Sequence, residues 1–174
     1  MRRNDVPRGG VKTRRIIGID PGLASSGWGL VEYEDGRLRY LAHGCIETKA
    51  VQTRSERLFS IYRGINDVLD TWEPREAAME TLYFGRNVSS AIAVAEARGV
   101  LSLAMAERNL PLAEFTPNKI KQSVVGVVKA EKQQVQEMIR IILGLPVIPT
   151  PDHAADALGA AVCAAHNAFQ APPQ

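Results

Sequence analysis

Apolar residues recur along this chain with two periods, one of about two residues and one near 3.6, and the switches between them mark out the elements. From Arg15 a β-branched run of Ile16, Ile17 and Ile19 ends in Asp20-Pro21-Gly22, which reads as a strand closed by a turn. Trp28–Tyr33 and Leu38–Ala42 flank Asp35-Gly36, a pair that favours a tight hairpin, so the chain opens with a three-strand antiparallel meander. Leu58, Ile61, Tyr62, Ile65, Val68 and Leu69 then recur at helical spacing between Gln52 and Trp72, and Pro74 stops that helix. Ala77–Leu82 is an apolar segment interrupted by one carboxylate, as expected of a buried strand that delivers Glu80 at its C-terminal end. A long Ala-rich helix is expected from Val88 to Asn109, then a short strand at Leu112–Phe115 and a helical stretch after Pro117. An amphipathic helix carrying Val135, Met138, Ile139 and Ile142 ends at Gly144 and Pro146. The last helix starts near Asp152 and places Ala154, Ala157, Leu158, Ala161, Val162 and Ala165 on one stripe. This order predicts an α/β fold: a five-stranded mixed sheet, made of the meander plus two parallel strands, with helices on both faces.

Composition adds limits. A chain of 174 residues, 45% hydrophobic, suits one domain with a sizeable core. Residues 1–14 lack apolar periodicity and read as a disordered basic arm, leaving residues 15–170 as the folded domain. No apolar run approaches the roughly 20 residues of a membrane span, and no secretory signal is seen, so a cytoplasmic location without membrane contact is expected. Cys45 and Cys163 stand apart in apolar surroundings and read as buried free thiols. The net charge of +2 divides unevenly, with +5 on residues 1–15 and −3 on the rest. An acidic body that handles nucleic acid must gather its cations on one face or hold metal ions that reverse the local field.

Three carboxylates stand out against apolar surroundings. Asp20 ends a buried strand, where a charge is costly unless paired or bound to a cation; alone, it also suits a turn cap. Glu80 repeats the anomaly at the end of a later strand, with an exposed edge-strand position as its alternative. In Asp152-His153-Ala154-Ala155-Asp156, His153 and Asp156 lie about 60° apart around the helix and can face one site. Asp152 reads as the helix cap. Three carboxylates and a histidine suit hard-cation ligation by Mg²⁺ or Mn²⁺, and a pair of such ions can drive phosphodiester hydrolysis. His43 and His166 sit in apolar contexts and form no nucleophilic triad.

Gly18-Ile19-Asp20-Pro21-Gly22 with Ser26-Gly27-Trp28-Gly29, then Met79-Glu80 with Tyr83 and Asn87, then Ala154-Ala155-Asp156-Ala157-Leu158 resemble the motifs of RuvC-type Holliday-junction resolvases. The likeness runs from Arg15 to Phe169 and includes Lys121–Gly126 and Ala130-Glu131-Lys132. The resemblance implies an RNase H-like fold, a two-fold homodimer and paired nicks across a four-way DNA junction, with Mg²⁺ as cofactor and Mn²⁺ as a substitute. It also implies cooperation with a RuvA–RuvB branch-migration complex. Carried over by position, Asp20, Glu80 and Asp156 would be catalytic metal ligands. His153 stands where many relatives have a fourth Asp; metal ligation and the steering or protonation of a phosphate oxygen are both open to it.

Expected DNA contacts are Lys119, Lys121, Lys129 and Lys132, from a locally basic region, and Arg86. Tyr83 occupies a place where relatives often stack an aromatic ring on an unpaired base. The Val88–Asn109 helix, through Ala91, Val94 and Ala95, is the expected dimer contact. Three rivals remain: an actin- or sugar-kinase-like ATPase, disfavoured because the chain shows no repeat; an inert module that only binds branched nucleic acid; and a nuclease acting on folded RNA.

Overall fold

The computed structural model describes residues 13–82 and 88–167. Most of the expected arm, together with Tyr83 and Arg86, lies outside the described residues. Strands β1 (Arg14–Asp20), β2 (Ser25–Glu34), β3 (Arg37–Glu47), β4 (Glu76–Glu80) and β5 (Leu112–Phe115) form one sheet in the order β3-β2-β1-β4-β5. The first three pair antiparallel, whereas β4 and β5 run parallel to β1, as the element order predicts. Asp35 and Gly36 turn the hairpin with φ of 48° and 79°, the left-handed values a tight turn of this kind demands.

Helices α1 (Arg54–Trp72) and α2 (Val88–Glu107) cover one face of the sheet. On the other face lies α5 (Asp152–His166), itself covered by α3 (Pro117–Val125) and α4 (Lys132–Ile142). Local chemistry sets the ends: Thr53 and Glu56 form a capping box on α1, and Thr116 caps α3 ahead of Pro117. The two strand faces separate cleanly, with Ile17, Ile19, Ala77 and Met79 toward α1 and α2. Ile16 and Ala78 face α5.

Several sequence expectations change. β2 and β3 extend beyond Trp28–Tyr33 and Leu38–Ala42, because Gly27, Gly29 and Gly44 blur the alternation where other groups occupy the side-chain space. The last helix is not apolar on a single stripe: between Ala154 and Ala165 every residue except Asp156 is buried. Its small side chains let it lie between the sheet and the outer helices, with Ile120 and Ile139 packed over Gly159. Ala91, expected in a dimer contact, is buried within the protomer, and α2 exposes Ile92 and Leu103 instead.

Arg14 and Arg15, counted with the basic N-terminus, are structural. Adjacent strand residues face opposite ways, and each arginine caps the helix on its own side. Arg14 pairs with Glu76 at 2.6 Å and donates to the Ala164 and Ala165 carbonyls at the end of α5. Arg15 donates to the Trp72 carbonyl at the end of α1 and pairs with Glu32 at 2.8 Å. Guanidinium groups at helix C-termini complete the last carbonyls and complement the dipole.

Glu32 is buried and also accepts from Arg39. The hydrogen bonds from Arg39, and then Arg15, hold its carboxyl below the ordinary glutamate range. A depressed folded-state pKa stabilises the protein above the unfolded value of about 4.3, and that contribution is lost as pH falls through the folded value. Glu32→Gln is expected to lower Tm at pH 7 by roughly 2–4 °C, the equivalent of about 1 kcal/mol. Thermal unfolding from pH 7 to pH 3 should show the gap to the native protein closing below about pH 4; a gap that stays constant would remove Glu32 from the acid response.

Candidate functional site

Asp20 and Glu80 sit on the C-terminal residues of adjacent parallel strands, one step beyond the last pair, Ile19 with Met79. Parallel neighbours in register project to the same face, about 4.8 Å apart across the ladder. Both belong to the alternate set that includes Ile16, Gly18 and Ala78, so both carboxylates emerge on the α5 side.

What brings the start of α5 over these strand ends is missing side chains. A Cβ on Gly18 would overlap the Ala157 carbonyl oxygen and come within 2.6 Å of the Ala161 nitrogen. A Cβ on Gly27 would overlap the His153 carbonyl, and one on Gly29 would lie 2.6 Å from Leu158 Cγ. Gly18 pairs with Gly29, and Asp20 with Gly27, so the glycines form a shallow seat on β1 and β2. The Gly-rich motifs around Asp20 and Trp28 thus serve helix-on-sheet contact as well as turns.

Seated in this way, α5 presents His153 and Asp156 to the strand ends. His153 Nδ1 donates to Asp20 Oδ2 at 2.6 Å, leaving Nε2 for another partner. Asp156 Oδ2 accepts from Lys132 Nζ at 3.1 Å, and the same ammonium lies 3.2 Å from Asp152. Asp152 is not the expected cap: the capping position is Pro151, and the Asp152 carboxylate instead ties Lys132 and Gln136 to the start of α5. Sequence reasoning missed Gln136 altogether, since nothing in the sequence marks this glutamine as buried beside Val135 and Ile139.

The carboxylates sense each other. Burial pushes Asp20 above the ordinary aspartate range, opposed by the hydrogen bond and charge of His153, while Asp156 pushes it up further. Glu80 is raised by burial first, then by Asp20 and Asp156, with Lys121 opposing. The two acidic partners of Lys132 outweigh its burial and hold its ammonium above the ordinary lysine value. Among the described residues no three His, Cys, Asp or Glu side chains converge on one ligating point. Asp20 is turned to His153 and Asp156 to Lys132. Asp20, Glu80 and Asp156 nevertheless couple electrostatically, and with the His153 imidazole they are donors of the type that a hard divalent cation takes.

Glu80, Asp156, Lys121 and Lys132 line a cavity of about 240 Å³ with Pro117, Ile120, Val135 and Gly159. A larger cavity of about 410 Å³ opens at the far end of β4, beside Glu73 and Pro74, where Arg108 is already paired with Asp70. Of the expected DNA contacts, Lys121 and Lys132 border the carboxylates, and Lys119 and Lys129 are exposed on α3 and on the connection to α4. Arg140, further along α4, is engaged with Glu137 and the Leu145 carbonyl. His43 bonds Tyr40 and the Thr150 carbonyl, and His166 lies at the Ser123 carbonyl, so neither joins the site. Cys45 and Cys163 are free thiols; Cys163 is buried and Cys45 partly so.

The family model described as crossover junction endodeoxyribonuclease RuvC matches residues 16–164. RuvC of Treponema denticola is 46% identical over 147 residues, covering 84% of this chain and 83% of the relative. RuvC of Chloroflexus aurantiacus is 46% identical over 154 residues, covering 88% and 94%. The fold superposes on T. thermophilus RuvC, solved in complex with a Holliday junction substrate, with a TM-score of 0.83 at 32% identity, over 88% of this chain and 93% of the other. The yeast mitochondrial Holliday junction resolvase Ydc2 shares the fold at a TM-score of 0.63 and 16% identity, over 92% and 83%. The five-stranded mixed sheet is thus the expected RNase H-like architecture. Glycine-seated helix, paired strand-end carboxylates and sequence likeness over most of the chain agree, and this protein belongs to the RuvC family of crossover junction endodeoxyribonucleases.

Proposed function

We propose that this protein resolves Holliday junctions by hydrolysing one phosphodiester in each of two symmetry-related strands. The observation that carries the reading is the meeting of Asp20 and Glu80 at adjacent strand ends with Asp156 on the helix seated above them. Such a site on a RuvC-family fold favours cleavage over inert binding and over the ATPase alternative.

Asp20, Glu80 and Asp156 would hold divalent metal, Mg²⁺ or Mn²⁺, with His153 able to join through Nε2. When bound, the metal activates water and stabilises charge on the leaving oxygen. The chain's own residues do the rest. Lys121 and Lys132 border the carboxylates and draw the scissile phosphate into the cavity they line. Lys132 also pairs with both Asp156 and Asp152. His153, bonded to Asp20 through Nδ1, steers that carboxylate and offers Nε2 to a phosphate oxygen or the metal. Lys119 and Lys129 contact flanking phosphates, Tyr83 stacks on an unpaired base and Arg86 adds a backbone contact.

A four-way junction has two-fold related strands, so a two-fold homodimer presents one site to each. Phe59 of α1 with Ile92 and Leu103 of α2, between 47% and 61% exposed, supplies the apolar face for that pairing. No helix among the described residues is long and apolar enough to cross a membrane, and the proposed setting is the cytoplasm, in company with a RuvA–RuvB branch-migration complex. A mobile synthetic junction incubated with Mg²⁺ or Mn²⁺ is expected to be nicked at paired symmetric positions, with little cutting of folded RNA. Scattered single nicks, or cutting without added divalent ions, would overturn the reading.

A further inference from the structure

Val127 and Val128 stand 55% and 42% exposed on the connection between α3 and α4, just beyond Gly126, whose left-handed backbone ends α3. Single exposed apolar residues are ordinary; here two valines stand exposed side by side at one turn, as Val147 and Ile148 do elsewhere, and what sets the valines apart is their surroundings. Their setting is cationic. Lys119 and Lys121 precede them and Lys129 and Lys132 follow, with Glu131 the one acid between Pro117 and Gln136. The Glu131 backbone N–H donates to Gln134 Oε1 at 2.9 Å, so Glu131 stands at the start of α4, next to Lys132. Of the other exposed large apolar side chains among the described residues, Val51 lies between β3 and α1, Phe59, Ile92 and Leu103 lie on α1 and α2, and Ile141 in the last turn of α4 with Val147 and Ile148 beyond it.

The loop leads directly into the site. Lys132, the first residue of α4, reaches Asp156 at 3.1 Å. Lys132 lies five positions after Val127, a reach of at most roughly 18 Å, or about five nucleotide steps along one strand. A strand whose phosphate enters the cavity between Lys121 and Lys132 therefore passes within range of the valines.

We propose that the Val127–Val128 tip is a DNA-contacting element that packs against a base or sugar opened at the branch point, with Lys129 on the adjoining phosphate. The inference rests on the nuclease reading above. Apolar side chains enter a base stack at a cost that is smallest where pairing is already broken, as at the centre of a junction. The surrounding lysines suit nucleic acid, whereas a protein partner would have to supply matching acids.

The experiment compares the full native chain with Val127→Ser/Val128→Ser and with Lys129→Gln, measuring junction affinity across a salt series and single-turnover cleavage. A junction with 2-aminopurine beside the branch reports unstacking. The serine variant is expected to unfold at the native temperature, to lose roughly 5- to 50-fold in junction cleavage and to lose the fluorescence rise, with an unchanged salt slope. Lys129→Gln is expected to lower the slope of log affinity against log salt by about 1. Affinity, rate and fluorescence within two-fold of native for the serine variant would overturn the proposal. So would an unchanged DNA response accompanied by loss of a protein partner. If the native chain does not cleave the junction, the nuclease reading fails instead, and the affinity and fluorescence series still reads the tip contact.

Discussion

Asp20→Asn is expected to bind a four-way junction with near-native affinity and to cleave it roughly 10²–10⁴ times more slowly than the native chain. Asparagine keeps the size of aspartate, and its amide oxygen still accepts the hydrogen bond that His153 Nδ1 donates at 2.6 Å, so the strand end and the seat of α5 are undisturbed. What is lost is the negative charge. A metal held by fewer carboxylates stabilises less of the developing charge, and several kcal/mol of lost stabilisation corresponds to the stated factor at about 1.4 kcal/mol per tenfold. DNA affinity comes mainly from cations on phosphates and should hold or rise when a carboxylate is removed. Gel-shift titration without divalent ions and single-turnover cleavage with them separate the two effects. Undiminished cutting would sink the assignment of Asp20, while equal loss of binding and cutting would make its role structural.

The second large effect belongs to a residue without a side chain. Gly18→Ala places a methyl group on the Ala157 carbonyl oxygen and 2.6 Å from the Ala161 nitrogen, and both are backbone atoms of a helix buried on nearly all sides. Ordinary overpacking costs about 1–3 kcal/mol because flexible side chains give way. Here either α5 must rise off the sheet or β1 must bend, and a loss of more than about 3 kcal/mol is expected against a total stability of roughly 5–15 kcal/mol. A helix that rises also carries His153 and Asp156 away from Asp20 and Glu80, so whatever protein remains folded should cleave poorly at permissive temperature. Gly99→Ala in α2 is the control, since a Cβ there meets nothing within 4 Å and alanine favours the helix by about 1 kcal/mol. Urea unfolding of both variants decides the matter. Equal stability for Gly18→Ala and the native chain would mean that the glycine seat does not set the position of α5.

Periodicity located every strand and helix, because each element buries one face and the burial repeats at two or about 3.6 residues. It left β2 and β3 too short and missed the burial of α5 on both sides. Glycines interrupt the alternation in the strands, and alanines hide the fact that the helix is covered on both sides. Asp20, Glu80 and Asp156 were legible because a carboxylate in apolar company is anomalous wherever it occurs. Asp152 was misread, since a carboxylate at a helix start has the same local pattern whether it caps its own helix or, as here, holds Lys132 and Gln136 of another. Arg14 was read as the end of a basic arm and Arg15 as the start of the first strand, and only the sheet showed that one caps α5 and the other α1.

By itself, the sequence determined the order of the elements, the mixed sheet and the identity of the acidic residues, because these depend on chemical type and short-range spacing. Only the tertiary structure decided that Asp20 bonds His153 across 133 residues of chain, that Lys132 spans Asp152 and Asp156, and that Gly18, Gly27 and Gly29 form the surface on which α5 rests. Those facts depend on which backbones approach one another. Contact between a strand and a helix far apart in the chain leaves at most a missing side chain in the sequence, and a glycine does not say whether it serves a turn, a bulge or a seat.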